Sequence, residues 1–170
     1  LVVTLISFRS QVATLVNEQL TRVKHNENKL LEVTTAMSAE IQLQPLLIKV
    51  METVNDILNA DRCTIFLHDA DTNELWSKVA SGLETKEIRF PDGLGIAGTV
   101  FTSGETINIK DAYADERFNK AVDRKTGYRT RSILCMQITN KMGTAIGVIQ
   151  VLNKELGTFD STDEQRLRAF

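Results

Sequence analysis

Two glycines flank a short apolar segment that can bind an anion through its backbone. Residues 95–98 read Gly-Ile-Ala-Gly and open a predicted helix that ends near Gly104. The first N–H groups of a helix have no partner within it, and the helix dipole favours a negative charge there. A phosphate can therefore bind at this end without an arginine. The alternative is a purely structural helix, because short glycine-flanked helices are common.

A second group of polar residues lies near the end of the chain, between a predicted buried strand and a predicted helix. Ser161 is expected to begin this helix with a capping box. We expect Lys154 to pair with Asp163 across the intervening loop while Phe159 fills the apolar gap beneath. A surface ion pair contributes at most about 1 kcal/mol, so this tie is expected to act by fixing the last strand against the last helix.

The histidines and cysteines form no catalytic or metal-binding pattern. His25 lies in a long predicted helix and His68 in a strand, and neither has a Ser, Cys or carboxylate partner in a recognisable arrangement. Cys63 and Cys135 fall in separate strands without a Cys-x-x-Cys spacing, which fits a reducing cytoplasm. We therefore expect a cytoplasmic, non-catalytic segment without a metal site.

The composition indicates a globular domain and argues against nucleic acid and membrane as partners. The 170 residues are 42% hydrophobic, enough to bury the core of one domain with an appendage. The net charge of −2, with mixed signs, gives no basic face for nucleic acid. The apolar residues 1–8 are followed by Arg9 and fall far short of the roughly 20 residues of a membrane helix. Because the chain lacks an initial Met and stops inside a helical pattern, we expect a segment of a longer protein.

Residues 1–44 are predicted to form one long helix that can dimerise. They contain no Gly or Pro, and their apolar residues recur at three- and four-residue steps. The heptad positions a are Val2, Arg9, Val16, Val23, Leu30 and Met37, and the positions d are Leu5, Val12, Gln19, Asn26 and Val33. This seam predicts a homodimer of parallel helices in which Arg22 and Glu27 can pair between chains. The alternative is a helix that packs only on its own domain.

Residues 45–170 are predicted to form a single α+β domain. After an apolar helix that starts near Pro45, the hydrophobic period changes from helix to strand. The predicted strands are 62–68, 75–80, a short strand around 88, 106–109, 132–139 and 145–152. Helices before and after antiparallel hairpins predict a six-stranded antiparallel sheet flanked by helices, with the helices on one face of the sheet.

The segment from Asp111 to Arg131 is long, polar and poor in strand formers, and we call it the lid. Residues 116–119 are expected to form a helical turn within it. Long connections in compact domains are usually functional lids or disordered segments.

Two sets of motifs resemble a known family. Residues 95–98 together with 111–135, which include the run Thr126-Gly127-Tyr128, are similar to the ligand-binding half of cyclic-nucleotide-binding GAF domains. Asn153-Lys154 followed by Phe159 and Asp163 resembles the signature motif of the same branch. The resemblance covers most of residues 60–170 and implies the GAF fold. That branch supplies regulatory domains of phosphodiesterases and of cyanobacterial adenylyl cyclases.

The resemblance also implies a set of contacts to a cyclic nucleotide from backbone amides, lid side chains and sheet side chains. The residues so implied are Ile96, Ala97 and Asn119 for the phosphate, Asp123, Thr126 and Thr130 from the lid, and Thr64, Ser81 and Gln150 from the sheet. Hydroxyls can donate or accept, so they can bind ribose or base edges without burying a charge. Each of them, taken singly, is also an ordinary strand or turn residue.

Two departures from the pattern favour cAMP over cGMP. Ala80-Ser81 stands where cGMP-binding relatives carry an aromatic and an acidic residue, so no carboxylate is present to accept from guanine N1–H and its amine. Arg62, near Thr64 on the same predicted strand, offers only donors, which suit the N1 or N7 acceptors of adenine. The alternative for Arg62 is a surface charge at the end of a strand.

The sequence therefore predicts a regulatory sensor domain that binds cAMP in preference to cGMP and signals to the output domain of a larger protein. We expect that protein to be an adenylyl cyclase, with a phosphodiesterase as the second choice. The alternatives are a GAF module that only dimerises and a GAF sensor that binds a chromophore. Some GAF relatives reduce methionine sulfoxide with cysteines, which is not expected here because both cysteines lie inside strands.

Overall fold

The computed structural model describes residues 18, 21–25, 28–29, 31–32, 35, 43–77 and 87–170. The chain divides into two compact units, residues 1–43 and 44–170. In the first unit every described residue is helical. Val23 is the one position of the predicted heptad seam that belongs to the described residues, and its side chain is exposed. None of the helices in the described ranges combines the length and the hydropathy of a membrane span.

A six-stranded antiparallel sheet forms the centre of the second unit, with the strand order β3-β2-β1-β6-β5-β4. The strands are β1 (Ala60–Asp69), β2 (Glu74–Ser77), β3 (Ile88–Pro91), β4 (Ile107–Ile109), β5 (Ile133–Thr139) and β6 (Ala145–Lys154). Together with the helices around it, this sheet confirms the predicted α+β fold.

In the described part of the second unit, four α-helices and one short 3-10 helix accompany the sheet. They are α1 (44–58 in this unit), α2 (Gly95–Ser103), the 3-10 helix Ala112–Ala114, α3 (Lys120–Thr126) and α4 (Ser161–Arg168). The cap of α4 lies one residue earlier than predicted. The Asp160 carboxylate accepts from the amides of Thr162 and Asp163, and Asp163 accepts in return from the Asp160 amide. The carboxylate satisfies two orphan N–H groups, so it takes the cap position ahead of Ser161.

Helices cover both faces of the sheet, so the expectation that they pack on one face is wrong. Ile65 and Phe66 are neighbours on β1 and therefore point to opposite faces. Ile65 belongs to a core with α1, α4 and Phe159, and we call this side the α1 face. Phe66 belongs to a second core with Ile96 and Val100 of α2, and we call this side the α2 face.

Candidate ligand-binding site

The N-terminus of α2 carries backbone N–H groups that its N-cap residue leaves uncapped. Leu94 occupies the N-cap position and makes no side-chain hydrogen bond to the helix. The first helical bond runs from the Gly98 amide to the Leu94 carbonyl, at 3.1 Å. The amides of residues 95–97 therefore precede the first intrahelical bond, as they do in any helix. Ile96 and Ala97 are buried on the α2 face, which fixes the end of the helix against the sheet.

The backbone of the lid passes close to this helix end. A Cβ atom built on Gly95 would lie 3.8 Å from the carbonyl oxygen of Arg117. The neighbouring Phe118 packs against the core of the α2 face. The fold thus brings the lid backbone next to Asn119 into the neighbourhood of Ile96 and Ala97. The Asn119 side chain itself caps α3, accepting from the Ala121 amide at 3.0 Å.

The helical structure of the lid differs from the prediction. Residues 116–117 form a single turn, closed by the Phe118 amide donating to the Asp115 carbonyl at 3.1 Å, and the helices of the lid form on either side of it, at Ala112–Ala114 and Lys120–Thr126. Asn119 starts α3, and Gly127 ends it in the left-handed conformation, at φ +70°. An Asn at the N-cap and a Gly after the last turn are standard helix boundaries. That pair was the signal in the sequence that could have located α3.

Two lid residues predicted to touch the nucleotide bind each other. Asp123 Oδ1 accepts from the Thr130 hydroxyl, and its Oδ2 accepts from the Thr130 amide, both at 2.8 Å. The Tyr113 hydroxyl also donates to Asp123 Oδ2, at 3.1 Å. Asp123 and Thr130 are both buried. In this geometry the two side chains join α3 to the segment of the lid that follows it.

Polar side chains interrupt the apolar surface of the α2 face. Arg62 and Thr64 alternate with Phe66 along β1 and so share its face. Gln150 on β6 lies directly across from Thr64. All three polar residues are half-buried. Two further residues were predicted to bind the ligand. Of these, Ser81 and the side chain of Thr126 lie outside the described part of the chain.

A lid residue that the sequence analysis gave no role lies on Arg62. The Arg62 guanidinium carbon is 3.8 Å from the centroid of the Tyr128 ring. The Tyr128 hydroxyl lies 3.4 Å from Asp61 Oδ2 and accepts from Asn153 Nδ2 at 2.8 Å. Burial, with a further contribution from the nearby Asp61 charge, raises the pKa of Tyr128 to about 12. Tyr128 therefore joins the lid to one end of β1.

Asn153 anchors the end of the lid from a fully buried position at the end of β6. Its backbone is left-handed, with φ +58°, and none of its surface is exposed. Its Oδ1 accepts from the amide of Arg131 at 2.6 Å, and its Nδ2 donates to the Arg129 carbonyl at 2.9 Å. The Asn153 amide also donates to the Ser132 carbonyl. Asn tolerates this backbone conformation better than most residues, and its amide supplies both a donor and an acceptor.

The adjacent Lys154 contacts the two helices α1 and α4. Its Nζ is 2.7 Å from Asp163 Oδ1 and also donates to the carbonyl of Leu58, the last residue of α1, at 2.7 Å. The exposed fractions of the two side chains are 15% for Lys154 and 3% for Asp163. The pair is therefore largely buried, unlike the surface pair that the sequence suggested. Phe159 is 2% exposed and packs in the core of the α1 face.

The two cysteines are buried, and His68 contacts neighbouring side chains. Burial raises the pKa of the Cys63 thiol to about 12 and that of Cys135 further still. Thiolates are the reactive form, so these thiols are poor nucleophiles at neutral pH. His68 Nε2 lies 3.1 Å from Asp92 Oδ2, and its ring packs on Phe101. Within the described residues, no group of three or more His, Cys, Asp or Glu side chains is placed to hold a metal.

Comparison with known proteins identifies relatives of the chain. The family model of the GAF domain matches residues 42–170. The chain is 38% identical over 168 residues to the probable 3',5'-cyclic phosphodiesterase pde-5 of Caenorhabditis elegans, covering 91% of this chain and 23% of the relative. It is also 38% identical over 161 residues to the dual 3',5'-cyclic-AMP and -GMP phosphodiesterase 11A of Takifugu rubripes, covering 86% and 18%. The chain thus spans about a fifth of the length of these curated relatives.

Solved structures support the same fold at lower identity. The GAF domain of a phosphoenolpyruvate-protein phosphotransferase from Coxiella burnetii superposes with a TM-score of 0.65 at 24% identity, covering 72% of this chain and 74% of that one. At this identity the likeness concerns the fold alone.

Proposed function

The chain belongs to the GAF domain family, and from that membership we propose that its domain is a regulatory sensor for a cyclic nucleotide. The observation that carries the proposal is the uncapped end of α2 beside the lid backbone. A cyclic phosphate is a compact anion that backbone N–H groups at a helix terminus can bind. Homology to cyclic-nucleotide phosphodiesterases supports the same ligand class.

We assign the phosphate to the amides of Ile96 and Ala97 and to the backbone at Asn119. Thr64 and Gln150 lie on the α2 face, where their hydroxyl and amide can bind ribose or base. The lid contributes differently from the sequence-based expectation, because Asp123 and Thr130 are hydrogen-bonded to each other. Their contribution to affinity in this proposal is to hold the lid in shape.

We favour cAMP over cGMP as the ligand. Arg62 is half-buried on the α2 face and offers only hydrogen-bond donors. Adenine presents unprotonated N1 and N7 to such donors. Guanine needs an acceptor for its N1–H and amine, which Arg62 cannot supply. Guanine O6 and N7 can still bind an arginine, so cGMP remains the second candidate.

The output domain in this proposal is a phosphodiesterase in place of the adenylyl cyclase expected from the sequence. Both relatives described above are phosphodiesterases, and the aligned segment is a small part of each. Residues 1–44 would then form a dimerising helix and residues 45–170 the sensor. The cytoplasmic location also stays a prediction. Ligand binding can change the output only if the two signalling states differ in affinity for the nucleotide.

Isothermal titration of the chain with cAMP and, separately, with cGMP tests the proposal. We expect heat with both ligands and tighter binding of cAMP. Thr64→Val removes one hydroxyl from the α2 face at nearly constant shape and should weaken cAMP binding. Thr139→Val, at the exposed end of β5, is the matched control and should leave the affinity unchanged.

Failure of both nucleotides to bind would favour a GAF module that serves only in dimerisation. A coloured purified protein would instead favour the chromophore sensor. Equal weakening by Thr64→Val and Thr139→Val would remove the assignment of Thr64 to the site.

A further inference from the structure

We infer that Tyr128 is a positioning residue that orients Arg62 toward the base of the bound nucleotide. The inference rests on the proposed cyclic-nucleotide site and adds a specificity device to it. Its starting point is the contact between a lid residue and a residue on the central strand β1, 3.8 Å from guanidinium carbon to ring centroid.

The contact engages the face of the Arg62 guanidinium and none of its N–H donors. A guanidinium on an aromatic ring interacts through its charge and its flat surface, while its five N–H donors remain at the periphery. Among the described residues, no hydrogen bond or ion pair engages the Arg62 donors. An arginine in this state is prepared to bind an acceptor that arrives from outside the protein.

The position of Arg62 on the sheet indicates where that acceptor would come from. Arg62 shares the α2 face with Thr64 and lies opposite Leu152 of β6. It is half-buried, so its charge is partly removed from water. A planar base with an unprotonated ring nitrogen, bound over this face, fits the unused donors.

Tyr128 can fix the arginine because its own ring is fixed at the hydroxyl. Asn153 Nδ2 donates to that hydroxyl at 2.8 Å, and Asn153 is fully buried. On the other side, the hydroxyl lies 3.4 Å from Asp61 Oδ2. The chain of contacts therefore runs from β6 through Asn153 and Tyr128 to Arg62. A side chain with four rotatable bonds is held in this way before the ligand binds, which lowers the entropy cost of binding.

Double-mutant analysis of cAMP binding tests the inference. Tyr128→Leu should lower the affinity by about three- to tenfold, the cost of immobilising one long side chain on binding. Arg62→Ala should lower it at least as much, because it also removes the donors to the base. The double variant should bind no more weakly than Arg62→Ala alone, because Tyr128 acts through Arg62. The ratio of cAMP to cGMP affinity should fall in the same variants.

Two further variants separate positioning from folding. Tyr128→Phe keeps the ring on Arg62 but loses the hydroxyl contacts that fix the ring, so it should lower the affinity by less than Tyr128→Leu if the domain stays folded. Arg89→Ala removes a guanidinium that lies on an aromatic ring outside the lid, 5.8 Å from the Trp76 ring, at an exposed position. That matched control should leave the affinity unchanged. Thermal unfolding of each variant shows whether it is folded.

A ligand-free measurement examines the contact itself. The side-chain protons of Arg62 next to the guanidinium should show an upfield ring-current shift by NMR in the unchanged chain and in Tyr128→Phe. The shift should be lost in Tyr128→Leu. Its absence from the unchanged chain would overturn the inference.

The possible failures are distinguishable. If the unchanged chain binds neither nucleotide, the proposed function is overturned and this inference with it. If it binds cAMP but the losses from Tyr128→Leu and Arg62→Ala add in the double variant, the inference alone is overturned. The same holds if folded Tyr128→Leu binds cAMP as tightly as the unchanged chain.

Discussion

At the scale of single residues, several polar side chains of this domain connect segments far apart in the chain. Asn153 holds the end of the lid, Asp123 holds its middle, and Tyr128 joins it to β1. Each of these groups is at least half-buried and hydrogen-bonded. Removing one partner from such a network leaves a buried group unsatisfied, which costs more than the bond contributed.

The raised pKa of Tyr128 predicts a loss of stability at alkaline pH. The folded domain holds the phenol proton more strongly than the unfolded chain, because the pKa rises from 10.0 to about 12. The contribution to the free energy of unfolding is therefore complete below pH 10 and is lost as the pH rises through about 12. We expect stability to fall across this window, and to fall less steeply in Tyr128→Phe.

Urea denaturation at successive pH values between 9 and 11.5, a range chosen to approach the pKa of Tyr128 from below, measures this effect. The buried cysteines contribute equally to the two proteins and cancel in the comparison. Parallel curves for Tyr128→Phe and the unchanged chain would show that Tyr128 does not titrate as described.

At the scale of elements, the turn before α2 leaves room for no side chain at Gly98. A Cβ atom there would lie 2.5 Å from the carbonyl carbon of Gly93 and 2.8 Å from the carbonyl oxygen of Asp92. Replacing a helical Gly by Ala ordinarily stabilises a helix by about 1 kcal/mol. Here the β3–α2 turn must move, and overpacking of this kind costs about 1 to 3 kcal/mol.

We therefore expect Gly98→Ala to lower the urea midpoint in spite of its helix propensity. Gly93→Ala is the matched control in the same turn, since a Cβ atom at Gly93 would meet no atom within 4 Å. A Gly98→Ala variant as stable as the unchanged chain would mean that the turn yields without cost.

The tie between β6, α1 and α4 depends on Lys154. Its ammonium group contacts the Asp163 carboxylate and the carbonyl of Leu58. Lys154→Met removes the charge and leaves the nearly buried carboxylate without its cation. We expect a loss of about 2 to 3 kcal/mol in the free energy of unfolding, somewhat below the full effect of breaking a buried pair because Lys154 keeps some contact with water.

A less buried pair in the lid serves as the control for this change. Arg117 contacts Asp115 at 2.6 Å, and the two side chains are 44% and 17% exposed, so Arg117→Met should cost less than about 1 kcal/mol. Equal losses in the two variants, measured by urea denaturation, would contradict the role of burial. A lower affinity for cAMP in Lys154→Met would further link the tie to the lid through the neighbouring Asn153.

At the scale of the whole molecule, the long N-terminal segment is proposed to pair two chains. Val23 occupies an a position of the predicted seam and is 53% exposed in the single chain. A charge at such a position opposes association. We expect Val23→Glu to shift the sedimentation equilibrium mass from two chains toward one.

Lys24→Glu, at the next residue and off the predicted seam, is the control for the added negative charge and should remain dimeric. A monomeric unchanged chain would end the dimer proposal. A dimer that survives Val23→Glu would place the interface elsewhere.

The pattern of the amino-acid sequence determined most of the secondary structure of the domain. The nearly continuous apolar runs of β5 and β6, and the glycines around α2, predicted these elements within a few residues. The motifs at 95–98 and 153–163 identified the family. These features depend on backbone preferences and on side-chain periods of neighbouring residues, so a single sequence contains them.

Only the tertiary structure decided which side chains meet. Tyr128 lies on Arg62, Asp123 holds Thr130 where a nucleotide contact was expected, and the pair of Lys154 and Asp163 is buried. The helices also cover both faces of the sheet, since α2 returns across the face opposite α1. Such pairings join segments that are distant in sequence, and their geometry depends on how the whole sheet and its helices pack. Local propensity carries no information on that packing.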